Sequence, residues 1–189
     1  MLTSSVAALK PGSGLARVLA ATMLMVVSFS VFASADPLKN VKELLRSGQY
    51  DKALPRLEAF LQSNPKHAEA RFLKGLALAE RGESERAQDV FLALTDDYPE
   101  LPEPHNNLAV LYAAKGEFTL ARASLLQAIS NRPNYATAHE NLGDIYARMA
   151  GIAYGKALEL DDANQTARVK LAMVQELFSE RGPAAASIP

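Results

Sequence analysis

His105 and His139 stand 34 residues apart, and Glu140 follows the second of them directly. Imidazole nitrogens and a carboxylate are the donors a divalent metal takes, so the pair raises the question of a metal site. A protein zinc site takes three or four such donors, and the chain offers one other histidine, His67, and no cysteine. The alternative is that both histidines serve the packing of the fold. Asn107 and Asn141 form a second pair at the same spacing. Their side-chain amides can bond the backbone of a bound peptide from inside a groove, or can serve the fold. No Ser/His/Asp arrangement, HExxH run, phosphate-cradling glycine loop or catalytic carboxylate pair stands out. The acidic residues Asp96, Asp97 and Glu100 suit a solvated turn and helix start. The expectation is therefore a chain without catalysis, cofactor or metal.

Composition is that of an ordinary globular chain: 189 residues, 49% hydrophobic, 22% charged, net charge −1. There is no polybasic tract, so no nucleic-acid partner is expected. The first 35 residues differ from the rest. Their charges are Lys10 and Arg17, followed by the apolar run from Val18 to Ala33 and then Asp36 after "ASA". A short apolar run ending in small residues matches an export signal with cleavage after Ala35, leaving 154 residues of net charge −3. The expected location is periplasmic or secreted, with no membrane contact after cleavage. An uncleaved inner-membrane anchor over residues 18–33 is the alternative, although the run is short against the roughly 20 residues of a spanning helix. Absence of cysteine suits an oxidising compartment, where no thiol can mispair.

What could position the paired residues is a repeat. Gly48, Gly82 and Gly116 are each 34 residues apart, and Ala53, Ala87 and Ala121 keep that step. So do Leu57, Phe91 and Leu125, and Pro65, Pro99 and Pro133. Upstream of each glycine runs a pattern such as "HNNLAVLYAAKG", with apolar residues at helical spacing. The glycine permits the positive φ that ends a helix. A second amphipathic stretch follows, and a proline-containing turn closes the unit. The alanine column falls where the two helices of a pair cross, and small side chains let them approach. A single pair cannot bury its apolar face, so neighbours must stack into a solenoid.

This organisation resembles the tetratricopeptide repeat family. The third copy carries the resemblance through Leu108, Ala109, Tyr112, Gly116, Ala121, Leu125, Ala128 and Pro133; the second through Gly75, Leu78, Gly82, Ala87, Phe91 and Pro99. Lys74 departs from the usual leucine, Val41 from the usual small residue and Phe60 from the usual alanine, and Pro55 falls early in a second helix. The resemblance implies an all-α, right-handed α-solenoid over residues 36–180. Its repeats span about 36–67, 68–101 and 102–135, with a shortened atypical repeat at 136–164, a capping helix at 164–180 and a loose tail at 181–189.

The fourth copy breaks the period. Leu142, Gly143 and Tyr146 follow Leu108, Ala109 and Tyr112 by 34, but Ala150, Tyr154 and Ala157 follow Ala121, Leu125 and Ala128 by 29. The five missing residues are the turn. Leu142, Tyr146, Met149, Ala153, Ala157 and Leu160 keep helical spacing across the join. One helix is expected from about Thr137 to Leu160, about 36 Å long. The rival is a tight turn at Gly151. A final helix with Ala167, Leu171, Val174 and Phe178 on one face follows, capped by Asp161 or Asp162 and ended by Gly182.

The resemblance also implies that the first helices line a concave groove for a protein or peptide partner. By helical position it presents Leu38, Lys42, Arg46, Glu69, Phe72, Leu76, Glu80, Glu103, Asn106, Val110, Glu140, Asp144 and Arg148, with Asn107 and Asn141 beside them. Phe72, Leu76 and Val110 make an apolar strip flanked by acid, suited to an extended segment with apolar and basic side chains. The basic carboxylate clamp of some family members is not reproduced, since Leu73 and Glu103 stand where its Asn and Lys are expected. Exported proteins of this family suggest a scaffold, with two alternatives: a membrane-anchored or self-associating structural subunit, or an accessory to cell-envelope (peptidoglycan) enzymes. Partner identity and oligomeric state stay open.

Overall fold

Three glycines with positive φ, Gly48 at 68°, Gly82 at 80° and Gly116 at 77°, punctuate the chain. The computed structural model describes residues 36–179, so the expected export segment, Gly182 and the tail lie outside the described residues. Eight helices and no strand occur among the described residues. They are α1 (Lys39–Arg46), α2 (Tyr50–Ser63), α3 (Ala68–Glu80), α4 (Ser84–Asp97), α5 (Pro102–Ala114), α6 (Phe118–Asn131), α7 (Ala136–Leu160) and α8 (Gln165–Ser179).

Each glycine closes a helix in the same way. Gly82 N–H donates to Ala79 O at 2.9 Å and Glu83 N–H to Leu78 O at 2.9 Å, satisfying carbonyls that the helix end leaves open. The same two bonds recur at Gly48–Gln49 and Gly116–Glu117. The chain then reverses into α2, α4 or α6. At each crossing the alanine column and the larger apolar column are sealed: Ala53, Ala87, Ala121, Leu57, Phe91 and Leu125 have no exposed surface. Three clusters of buried side chains follow, each shared between successive pairs. Leu38, Val41, Ala53, Leu57 and Ala70 form the first. The second gathers Leu54, Leu78, Phe91, Leu94, Leu108 and Leu111, and the third Ala109, Ala121, Leu125, Ala138 and Ile145. No pair owns a complete core, which is the physical reason the pairs stack.

The missing turn is seen as expected: α7 runs unbroken for 25 residues through Gly151 and Gly155. Its buried face differs from the expected stripe. Ala138 and Ile145 are buried and Leu142 and Met149 pack beside them, whereas Tyr146, Ala153 and Leu160 are exposed. The reason is that α7 has two neighbours on different sides. Its first half packs on α6, while its second half packs on α8, where Val174 lies 3.3 Å from the Cβ position of Gly151. One straight stripe cannot describe both contacts.

One smaller expectation is corrected. The cap of α8 is Asn164, whose Oδ1 accepts from Ala167 N–H at 2.9 Å, because the helix starts at Gln165. Asp161 instead accepts from Ala163 N–H at 3.1 Å within the connecting turn. Pro55 lies beyond the first turn of α2, so the carbonyl of Asp51 lacks its usual helical amide. It is tolerated on an exposed side of the helix.

Candidate partner-binding face

The first helices α1, α3 and α5 and the first half of α7 carry the expected groove. Across it Phe72, Leu76 and Val110 are half-buried. Phe72 and Leu76 pack along the edge of the second cluster, and the Phe72 ring lies 5.8 Å from that of Phe91. Part of the expected apolar strip therefore supports the core and part stays open to solvent. Glu69 is paired with Lys42 at 2.6 Å, joining α3 to α1. Glu80 accepts from the Tyr50 hydroxyl at 3.4 Å, and Glu103 pairs with Arg132 at 2.6 Å. Glu140 and Arg148 are exposed and Asp144 is half-buried. Arg148 lies over the Phe178 ring at 4.5 Å. Leu38 is buried in the first cluster rather than presented.

The asparagines are placed differently from the expected groove ligands. Asn106 is 2% exposed and Asn107 5%. Asn141 Nδ2 donates to Asn106 Oδ1 at 2.9 Å, a bond between α7 and α5. Asn107 Nδ2 donates to Glu103 O at 2.9 Å in its own helix. Burying an amide without partners is costly, and these amides are engaged inside the protein. The contact across repeats joins residues 35 apart, Asn106 and Asn141, not the pair at 34.

The histidines are turn staples. His105 Nε2 lies 3.3 Å from Pro99 O, and His139 Nε2 lies 2.9 Å from Pro133 O. Each ring thus ties the start of a first helix to the proline of the turn before it. The prolines and histidines share the 34-residue step because they meet. Asn131 Nδ2 also donates to Pro99 O at 2.7 Å, and the Tyr98 hydroxyl bonds Lys66 O. His67 does something else: its Nδ1 accepts from Ala70 N–H at 3.2 Å as the cap of α3. Among the described residues no group of three or more His, Asp or Glu side chains is placed to hold a metal ion.

Burial lowers the pKa of His105 and outweighs the opposing hydrogen bond to Pro99. Burial and then the negative charge of Glu80 raise the pKa of Tyr50. Tyr135 is raised likewise, by burial first and Glu103 second, against the lowering effect of Arg132. These shifts belong to turns and helix junctions and assemble no acid–base pair.

Residues 38–102 match a family model described as tetratricopeptide repeat, and residues 111–149 match one described as TPR repeat. The chain belongs to the tetratricopeptide repeat family. Among solved structures this tetratricopeptide repeat chain is similar to YrrB, described as a TPR protein with an unusual peptide-binding site. Identity there is 31%, the TM-score is 0.50, and the match covers 53% of this chain and 52% of that one. The chain thus spans about half the length of that relative. The fold is also that of a thermophilic TPR protein from Thermus thermophilus, at 22% identity over 71% of this chain and 77% of that one, TM-score 0.53. MamA shares it at 20% identity over 72% and 82%, TM-score 0.55. No curated protein matches the chain.

Proposed function

We propose that this protein is an exported, non-catalytic scaffold that holds an extended segment of a partner protein along its first-helix face. The observation that carries the proposal is the half-open strip of Phe72, Leu76 and Val110 across α3 and α5, with Glu69, Glu80, Glu103, Glu140 and Asp144 on the same helices and on α7. Apolar side chains of a partner gain by covering such a strip, and the acidic side chains, of which Glu69 and Glu103 already hold Lys42 and Arg132, favour basic flanking residues that compete for them. The peptide-binding site named for YrrB supports the general mode. Buried Asn106 and Asn107 are assigned to the scaffold, not to the contact. Export is part of the proposal and rests on the segment before Asp36.

The test is a cross-linked pull-down from periplasm with the protein beginning at Asp36, against Val110→Glu and a Phe72→Glu/Val110→Glu double variant. Circular dichroism must first show that the helices persist, since Phe72 also packs against Phe91. Partners lost with Val110→Glu support the face; partners kept by both variants place binding elsewhere. Mass spectrometry of the protein from the cell envelope decides export: a chain starting at Asp36 supports it, and a retained segment 18–33 supports the anchored alternative.

A further inference from the structure

The fourth repeat has both of its halves but cannot close them on each other. In the second repeat the first helix offers Gly75, and the second helix fills that spot with Phe91, whose ring lies 2.5 Å from where a Cβ would stand. In the fourth repeat the matching glycine is Gly143, and nothing lies within 4 Å of its Cβ position. The next position of the same face shows the same loss of cover. Leu78 is 1% exposed, Tyr112 half-buried and Tyr146 47% exposed. The residues that would cover this face are present in the same chain. Ala150, Tyr154 and Ala157 hold the places of Ala87, Phe91 and Leu94, the residues that seal α3 against α4. They lie further along one straight helix and cannot reach back.

We infer that two copies of this chain pair through α7, the second half of each helix covering the Gly143–Tyr146 face of the other. The intact repeats supply the template. Gly75 meets Phe91, so Gly143 meets the Tyr154 position of the second copy, and Tyr146 meets Ala150. Pairing in this register requires antiparallel helices with a two-fold axis near Arg148 and Met149, so the contact is made twice and is isologous. The sequence register fits along the whole helix: Gly143, Tyr146, Ala150, Ala153, Ala157 and Leu160 are spaced 3, 4, 3, 4 and 3, the seam of two paired helices. Four of these six residues are exposed and Ala150 and Ala157 are half-buried. The neighbours lie mainly to either side of the seam, α6 on the side of Ile145 and α8 on the side of Gly151; Lys170 of α8 reaches the Tyr154 ring, 5.6 Å from its centre, and must turn aside on pairing. Removing a turn so that a hairpin cannot close is a known physical route to exchange between identical chains. The occupant is therefore a second copy, and the pairing is independent of the groove proposal.

The experiment uses sedimentation and light scattering of the protein starting at Asp36, together with three variants. Wild type is expected at twice the chain mass at micromolar concentration. Ala153→Glu, which replaces an exposed residue, is expected to keep its helicity and weaken pairing at least about 10-fold by placing a charge in the seam. Inserting Gly-Glu-Phe-Thr-Leu, the sequence of residues 116–120, between Met149 and Ala150 restores the turn and is expected to give a monomer. In the third variant, Gly143→Cys/Tyr154→Cys, oxidation is expected to link two chains. Within one helix those positions are about 16 Å apart, beyond the roughly 7 Å that a disulfide allows between Cα atoms, and the chain has no other cysteine. A wild type monomeric up to about 100 μM, at an affinity too weak to matter, overturns the inference. So does a dimer that survives Ala153→Glu and the insertion and forms no cross-link.

Discussion

Gly75 and Gly143 occupy the same column of the repeat, yet alanine should act on them with opposite sign. Within a helix, glycine to alanine stabilises by about 1 kcal/mol through backbone entropy. At Gly143 the new methyl meets open space within the single chain, so that gain stands for the unpaired protein. At Gly75 it would stand 2.5, 2.7 and 3.0 Å from three carbons of the Phe91 ring, which is fully buried in the second cluster. Overpacking of that kind costs about 1–3 kcal/mol, and a ring with no room to retreat puts it in the upper part of the range. The expected balance is a loss of about 1–2 kcal/mol for Gly75→Ala and a gain of about 0.5–1 kcal/mol for Gly143→Ala. Urea unfolding followed by circular dichroism measures both, at several protein concentrations so that self-association is separated from folding. The third repeat supplies an internal control, since it pairs Ala109 with Leu125 in the same two columns. Gly75→Ala in a Phe91→Leu background should therefore be neutral or stabilising. If Gly75→Ala stabilises as much as Gly143→Ala, the close packing of Gly75 on Phe91 is not the reason the column is small.

Two other outcomes follow from the junctions between repeats. Asn106→Ala leaves the Asn141 amide without its acceptor and should cost about 1–2 kcal/mol, while Asn106→Leu/Asn141→Leu should recover much of that, because removing both partners leaves no orphan; equal losses in the single and double variants would show that the bond contributes little. His105 has its pKa depressed by burial, so its contribution is present above the ordinary imidazole value of about 6.5 and is lost as pH falls through the lower folded value. The urea midpoint should fall on acidification from about pH 6.5 down to that value and level off below it, and His105→Gln should flatten this part of the profile; an unchanged profile would assign it to other groups.

The architecture was legible because the columns of the repeat are physical contacts. Glycine marks where the backbone needs positive φ, and Ala87 with Phe91 marks a helix crossing, so type and spacing report geometry directly. The lost turn was legible for the same reason, as a five-residue slip between two columns. Which face of α7 is buried was not. Small and apolar residues surround that helix, and its cover changes from α6 to α8 along its length, so a single amphipathic stripe has no meaning there. Asn106 escaped because its partner lies one residue out of the column, on the next helix. The histidine staples were hidden by their acceptors, since a backbone carbonyl such as that of Pro99 has no signature in residue type. How far Phe72 and Val110 sink toward the core depends on neighbours such as Phe91, which helical position does not report.

The continuity of α7 also bears on how the molecule comes apart. In a stack of separate pairs each repeat can fray alone, and the end of the array is the first to open. Here the last repeat and the terminal helix share one rod: the first half of α7 completes the third cluster, and the second half is the platform for α8. No loop lies between them to act as a breaking point. Opening at this end therefore removes α7 and α8 in one step and strips the cover from Ala121, Leu125 and Ala128 as it does so. Among the described residues the opposite end begins with the eight-residue α1 and has no such splice. Native-state hydrogen exchange should find the two ends unequal, with amides of α7 and α8 opening as one block and α1 exchanging by itself.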